Sequence, residues 1–381
     1  MNRLHDQTAT PRIWLVIGDK PGDNAQVEII AEALGLPYET KRVLPRPEWV
    51  LGKPRFKASL QHLDLERSDR LEPPWPDLII TIGRRPSMAA LWIQDQSGGH
   101  SKIVLLGRPK RWMKRFSLII VPAQYRMPDA PNVLKIGLPL LRSNETAVKE
   151  AAVAWKKRFS TLERPITALL VGGATMPFRL DREIALDLLE KTLAATTPNG
   201  GTLYITTSRR TPVEAVEALT SALPEHAVLY RWGDDSEEEN PYHALLALAD
   251  RFVVTGDSMS MLMEVARRNK PLAIFPLPFQ NNLRARIRVL IMRAARNRSD
   301  QGSLQNAIHR LLEWLIATGV AGYPRDLTTV HEELYARGAA TTLGKSPPVI
   351  TKKDTEDDLL QVVDRIKKLI SSLTRCTTAS T

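Results

Sequence analysis

Cysteine occurs once, at Cys376, in a chain of 381 residues. One thiol excludes an intramolecular disulfide and suits a reducing compartment. No stretch approaches the ~18 consecutive apolar residues of a bilayer-spanning helix, and residues 1–7 hold no apolar signal core. A cytoplasmic protein is expected. Several catalytic fingerprints are missing too: there is no GxSxG elbow, no HExxH, no Cys/His metal spacing and no Walker A lysine. The early GDKPGD is not GxGxxG, so a dinucleotide-dependent enzyme lacks its signature. No RNP, KH, zinc-finger or helix-turn-helix pattern accompanies the basic residues, which argues against nucleic acid as the partner.

What the chain has in excess is positive charge, a formal +11 on an otherwise ordinary composition of 43% hydrophobic and 25% charged residues. Such a balance asks for an anionic partner or surface. Residues 108–116, RPKRWMKRF, set Lys110, Arg111, Lys114 and Arg115 beside Trp112. Residues 283–298 place Leu283, Ile287, Leu290, Ile291 and Ala294 at helical spacing among arginines. Basic residues mixed with aromatic and aliphatic ones suit an anionic membrane surface. A solvated face over an ordinary buried stripe is the alternative reading.

Short apolar runs alternate with helical patterns along most of the chain. Residues 12–19, 77–83, 102–107 and 118–122 read as strands, with helices over 23–35 and 87–96. The proline-rich stretch 44–76 is expected on the surface. The pattern restarts with strands at 166–173, 202–208, 227–232 and 251–256, separated by helices at 180–197, 212–223 and 241–250. Alternation of this kind argues for an α/β fold of parallel sheets with crossover helices. Two series predict two Rossmann-like domains facing across a cleft, with C-terminal helices, the clearest at 358–373. The expected divisions are 1–143, a linking helix at 144–164, 165–345, and a C-terminal helix and tail at 346–381.

Ligands of open parallel sheets bind beyond the carboxyl ends of the strands, so the strand-to-helix turns are the candidate sites. The turn VGGAT offers Gly172 and Gly173, whose backbone could approach a phosphate, or which only make a tight turn. TTSRRTP offers Ser208, Arg209, Arg210 and Thr211 ahead of a helix start, a local site for a pyrophosphate unless the arginines are merely exposed. TGDSMSMLME offers Gly256, Asp257, Ser258, Met259 and Ser260 at a helix N-terminus, with Glu264 one turn further in. A carboxylate there can accept from a ribose diol.

The stretches TGDSMSMLMEVARRNKPLAIFPLP, TTSRRTP and NPYHALLALADRFVVTGDS resemble the mitochondrial-fission family first recognised in plants by elongated mitochondria. GDKPGDNAQ at 18–26 and IGRRPSMAAL at 82–91 fit the same family, so the likeness spans roughly residues 12–280. More remotely the layout is similar to GT-B glycosyltransferases such as the lipid II and lipid A disaccharide synthases. The resemblance implies a GT-B fold, a nucleotide-sugar donor in the C-terminal half, with the Glu on the ribose, and an acceptor in the N-terminal half. Plant members instead recruit a dynamin-like fission protein, so a non-catalytic adaptor is the competing expectation.

For sugar transfer the N-terminal half must supply a base. Asp19 and Asp23 are the candidates, although Asp23 would also serve as a helix N-cap. Arg84 and Arg85 could bind acceptor phosphate or steady the leaving diphosphate, with Ser87 capping the following helix. None of the seven histidines lies at a strand-end turn with an acidic neighbour. The acidic loop 232–240 could hold a divalent ion, but solvated carboxylates are the simpler account. No metal and no cofactor beyond the donor substrate are expected. The partners expected are a nucleotide-sugar and a lipid-linked or cell-envelope glycan acceptor, at the cytoplasmic or inner-membrane face.

Overall fold

A computed structural model describes residues 10–50, 54–125, 127–141, 144–196, 200–233, 239–283, 285–286, 289, 325–345 and 356–378. The chain divides into two compact units. Unit 1 takes in Met1–Arg142 and returns for Thr355–Thr381; unit 2 takes in Ser143–Arg298 and Arg325–Asp354.

Unit 1 runs β1 (Ile13–Ile17), α1 (Pro21–Leu34), β2 (Glu39–Arg42), α2 (Pro47–Val50), β3 (Leu78–Ile82), α3 (Arg84–Gln96), β4 (Lys102–Leu106), a 3-10 turn (Met113–Arg115), β5 (Leu118–Pro122) and β6 (Val133–Ile136). All pairings are parallel, in the order β2-β1-β3-β4-β5-β6. Successive side chains of a strand point to opposite faces. Ile13, Leu15 and Ile17 therefore pack with Val27, Ile30 and Leu34 of α1, while Trp14 and Val16 pack with Met88, Leu91 and Ile93 of α3. A sheet covered on both faces explains why its strands read as unbroken apolar runs. β2, with residues Glu39, Thr40, Lys41 and Arg42, and β6 are edge strands whose composition hid them from the sequence reading.

Unit 2 runs α4 (Glu145–Phe159), β7 (Thr167–Leu170), α5 (Arg182–Thr196), β8 (Leu203–Thr206), α6 (Val213–Ser221), β9 (Val228–Tyr230), α7 (Tyr242–Leu248), β10 (Arg251–Thr255), α8 (Met259–Ala266), β11 (Leu272–Phe275), α9 (Thr328–Ala336) and β12 (Thr341–Thr342). Its sheet is again wholly parallel, in the order β12-β11-β10-β7-β8-β9. The segment expected to link the halves, 144–164, falls in unit 2. There α4 packs against α7, and Arg268 after α8 grips Glu145 at 2.7 and 2.9 Å.

The C-terminal helix α10 (Glu356–Thr378) is not an appendage. Val362, Val363, Ile366 and Ile370 complete the core cluster on the α1 face of unit 1. Asp358 accepts from the Gly137 and Leu138 amides at 3.0 and 3.2 Å, tying the helix start to the end of β6. Of the C-terminal part expected to be helical, residues 303–324 lie outside the described residues, as does most of the stripe at 283–298.

In each unit the strand order reverses at one place, where two neighbouring strands send their connections in opposite directions. That place is between β1 and β3 in unit 1 and between β7 and β10 in unit 2. Ligand crevices of doubly wound sheets form at such switch points.

Candidate functional site

At the switch point of unit 2 the turns after β7, β8 and β10 are bonded to one another. Gly172 N donates to Thr255 Oγ1 at 2.8 Å, and Gly173 N donates to Asp257 Oδ2 at 2.9 Å. The hydroxyls of Thr175 and Thr255 also donate to Asp257, at 3.2 and 2.9 Å. From the β8 turn, Ser208 and Thr211 donate to Gly172 O at 3.0 and 2.6 Å, and Arg210 donates to Thr175 Oγ1 at 2.7 Å. The network brings together Gly172, Gly173, Ser208, Arg210, Thr211, Asp257 and Ser258, which lie up to 86 positions apart in the chain.

The roles differ from those expected. Gly172 and Gly173 do not offer free amides, because Thr255 and Asp257 have taken them. Glycine is required at 172 because an added Cβ would lie 2.5 Å from Asp257 Oδ1 and 2.9 Å from Thr255 Oγ1. Asp257 is 2% exposed and serves as the hub of the turns. Burial raises its pKa above the usual carboxylate range, while the bonds from Gly173 and Thr255 and the charge of Arg210 pull it back.

Donors do remain unused. Ser258 occupies the N-cap of α8 without a side-chain cap bond. The first intrahelical bond is Leu262 N to Ser258 O. Among the described residues the amides of Met259, Ser260 and Met261 therefore carry the positive end of the helix with no carbonyl partner. Arg209 is exposed, with no hydrogen bond or ion pair among the described residues. Glu264 is half-buried, and its Oε2 accepts from the Tyr242 hydroxyl at 3.2 Å. Burial raises the Glu264 pKa, opposed by that bond and by Arg268 and Arg267. Tyr242 is pushed well above its ordinary value, first by burial and then by the Glu264 charge.

Two partners of this site were invisible in the sequence. Tyr242 reaches Glu264 from the neighbouring helix α7. His331 reaches the β10 turn from α9, bonding Gly256 O at 2.7 Å across 75 positions. In the chain His331 lies on a helix, away from any strand-end turn, and only the fold brings it to this one. His243 lies beside Tyr242 with ring centroids 5.6 Å apart, and burial lowers its pKa.

At the switch point of unit 1 Asp19 follows β1 and faces Arg85, whose Nη2 donates to both carboxylate oxygens at 2.9 and 3.1 Å. Arg85 also donates to the carbonyls of Trp49 and Val50, and Arg84 to that of Pro54. Neither arginine stands free for a ligand as expected; both hold the segment around α2. Ser87 does not cap α3, which begins at Arg84 behind Gly83; it is buried and donates to Arg84 O at 2.9 Å. Asp23 is not an N-cap either, since Pro21 opens α1. Half-buried in the first turn, Asp23 has its pKa raised by burial, with Lys20 opposing and Asp19 adding. His62 is 2% exposed, bonds Arg85 O through Nε2 at 3.0 Å and leaves Nδ1 without a partner.

In the basic stretch 108–116 only part of the side chains faces water. Arg115 is bound to Gln94 at 3.0 Å and paired with Asp95, and Phe116 is core. Trp112 is 39% exposed against Phe56, 5.5 Å between centroids, and Lys114 is exposed. Lys110 and Arg111 are half-buried. No helix among the described residues is long and apolar enough to cross a membrane. No group of three metal-ligating side chains occurs among the described residues, and Asp234, Asp235, Glu237 and Glu238 of the acidic loop lie outside them.

A family model described as Mitochondrial fission ELM1 matches residues 21–313 of the chain. The uncharacterized protein RP120 of Rickettsia prowazekii (strain Madrid E) is 25% identical over 310 residues, 72% of this chain and 86% of that one. Mitochondrial fission protein ELM1 of Arabidopsis thaliana is 26% identical over 226 residues, 53% of this chain and 52% of the plant protein. Among solved structures, UDP-GlcNAc 2-epimerase from Neisseria meningitidis bound to UDP-GlcNAc is similar at a TM-score of 0.42 and 14% identity, over 85% of this chain and 98% of that one.

Proposed function

The chain belongs to the mitochondrial fission ELM1 family, and we propose that it is a GT-B-type glycosyltransferase using a nucleotide-sugar donor. The acceptor is a lipid-linked or cell-envelope sugar at the cytoplasmic membrane face. The observation that carries the reading is the β10 turn of unit 2. There the Ser258 hydroxyl and the amides of Met259, Ser260 and Met261, without partners among the described residues, stand at a sheet's switch point, in a network that includes the turn bearing Arg209. Amides fixed in advance stabilise charge as it develops on a departing nucleoside diphosphate, and the exposed Arg209 adds a positive charge. Glu264, fixed by Tyr242, supplies the ribose acceptor.

In the transfer, the acceptor hydroxyl oxygen bonds to the anomeric carbon, the bond from that carbon to the diphosphate oxygen breaks, and the hydroxyl proton passes to a carboxylate. Asp23 is the better base of the two candidates, because its pKa is raised while Asp19 is committed to Arg85. No metal enters this reading.

Calorimetry with UDP, GDP, CMP and ADP tests it. Binding of at least one nucleotide, weakened about tenfold or more by Arg209→Ala or Glu264→Ala, is the expected result. No heat from any of the four would remove the donor site and the reading with it.

A second reading draws on the Asp19–Arg85 pair, which ties up one of the two candidate bases: a non-catalytic adaptor that recruits a membrane-remodelling, dynamin-like partner. A partner retained by both Arg209→Ala and Glu264→Ala in pull-downs would favour it.

A further inference from the structure

The turn proposed to grip the diphosphate is held from behind by a buried residue of α9. His331 on α9 is 4% exposed, and its Nε2 bonds Gly256 O at 2.7 Å. A carbonyl can only accept, so Nε2 carries the proton. The amide of Gly256 is bound as well, donating to Phe275 O at 2.9 Å. Both polar groups of this residue are thus anchored to the body of unit 2, and the fit is close. A Cβ at position 256 would lie 2.6 Å from His331 Cε1, so the ring approaches only because residue 256 is glycine.

The peptide joining Gly256 to Asp257 is trans. In a planar trans peptide the C=O and the following N–H point in opposite directions. Turning the Gly256 carbonyl toward His331 therefore turns the Asp257 amide away from it. That amide belongs to a residue 2% exposed, yet it makes no hydrogen bond among the described residues. Buried amides are nearly always paired. It is followed directly by the Ser258 hydroxyl and the amides of Met259, Ser260 and Met261, none of which has a hydrogen-bond acceptor among the described residues.

We propose that His331 is a positioning residue which, by holding the Gly256 carbonyl, aims the Asp257 amide into the anion site at the start of α8. This deepens the nucleotide-sugar reading and rests on an anion binding at that turn. Without the histidine the Gly256 carbonyl loses the bond that sets the tilt of this peptide, and the anion loses a donor fixed in advance.

The test compares wild type, His331→Leu and His331→Gln by calorimetry with inorganic pyrophosphate and, separately, with UDP. The Asp257 amide is followed by 1H–15N correlation. His331→Leu keeps an apolar side chain in the space but has no donor, and is expected to bind either probe about tenfold more weakly. Gln keeps an N–H near the Nε2 position and is expected to restore binding to within about threefold. The Asp257 cross-peak should move on titration of wild type and of His331→Gln, and stay still in His331→Leu. If His331→Leu does not fold, His331→Asn replaces it, with a donor too short to reach the carbonyl.

Pyrophosphate binding that depends on residue 331, without UDP binding, would support the positioning role and remove UDP as the donor nucleotide. Equal affinity of all three proteins would overturn the positioning role and leave the nucleotide reading standing. So would an Asp257 amide that does not respond in wild type. Wild type that binds neither probe would overturn the positioning role.

Discussion

Gly172 matters for what it does not occupy. Its amide and carbonyl bind Thr255, Ser208 and Thr211, and the space its side chain would fill holds the Asp257 carboxylate. Gly172→Ala must push that carboxylate aside, and overpacking of this kind costs about 1–3 kcal/mol. Urea denaturation should register the loss, and an unchanged midpoint would show that the turn can yield. Glu264 gives a prediction in pH. Burial raises its folded pKa above the ordinary 4.5, so its proton is held more tightly in the folded chain than in the unfolded one. The stability this brings is complete below pH 4.5 and is lost as the pH rises through the raised folded value. In Glu264→Gln that decline should disappear from a plot of melting temperature against pH. Parallel curves for variant and wild type would contradict the assignment.

Among the elements, α10 shows why an amphipathic helix must be judged by what it covers. The apolar spacing of 358–373 was plain, but a helical stripe says only that some surface is buried, not which. Ile366 is fully buried against the α1 face of the unit 1 sheet. Ile366→Ala should cost about 2–5 kcal/mol, seen as a lowered melting temperature of a chain that still folds. A cost below that range would mean the helix lies loosely on the sheet. Element starts were less legible than element bodies. α1 begins at Pro21 and α3 at Arg84, two and three residues ahead of the expected starts at 23 and 87. A glycine at φ 83° opens α3 in place of a hydroxyl cap, and a polar residue four places inside can pass for the cap itself. β2 and β6 went unread because edge strands carry polar side chains that interrupt the apolar run on which strand recognition depends.

At the scale of the whole molecule, the chain consists of two doubly wound units and a formal charge of +11. The charge predicts association with anionic bilayers that weakens as salt rises. Flotation with vesicles containing phosphatidylserine measures it. Charge reversal at Arg111 and Lys114 should lower the floated fraction. Reversal at Arg115, which is engaged by Gln94 and Asp95, should act more through stability than through lipid. Flotation indifferent to Arg111 and Lys114 would take the stretch 108–116 out of any membrane role.

The sequence by itself determined that buried parallel strands alternate with helices in two series, and that glycine, hydroxyl and arginine residues gather where those strands end. Both patterns are local, since apolar runs and turn residues act within a few positions. Only the tertiary structure decided which donors remain for a ligand. It gave the amides of Gly172 and Gly173 to Thr255 and Asp257, locked Asp19 to Arg85, and brought His331 to the β10 turn and Tyr242 to Glu264 on α8. Those outcomes depend on strand order and helix docking, which place residues tens of positions apart at hydrogen-bond distance, and no spacing along one chain encodes such a meeting.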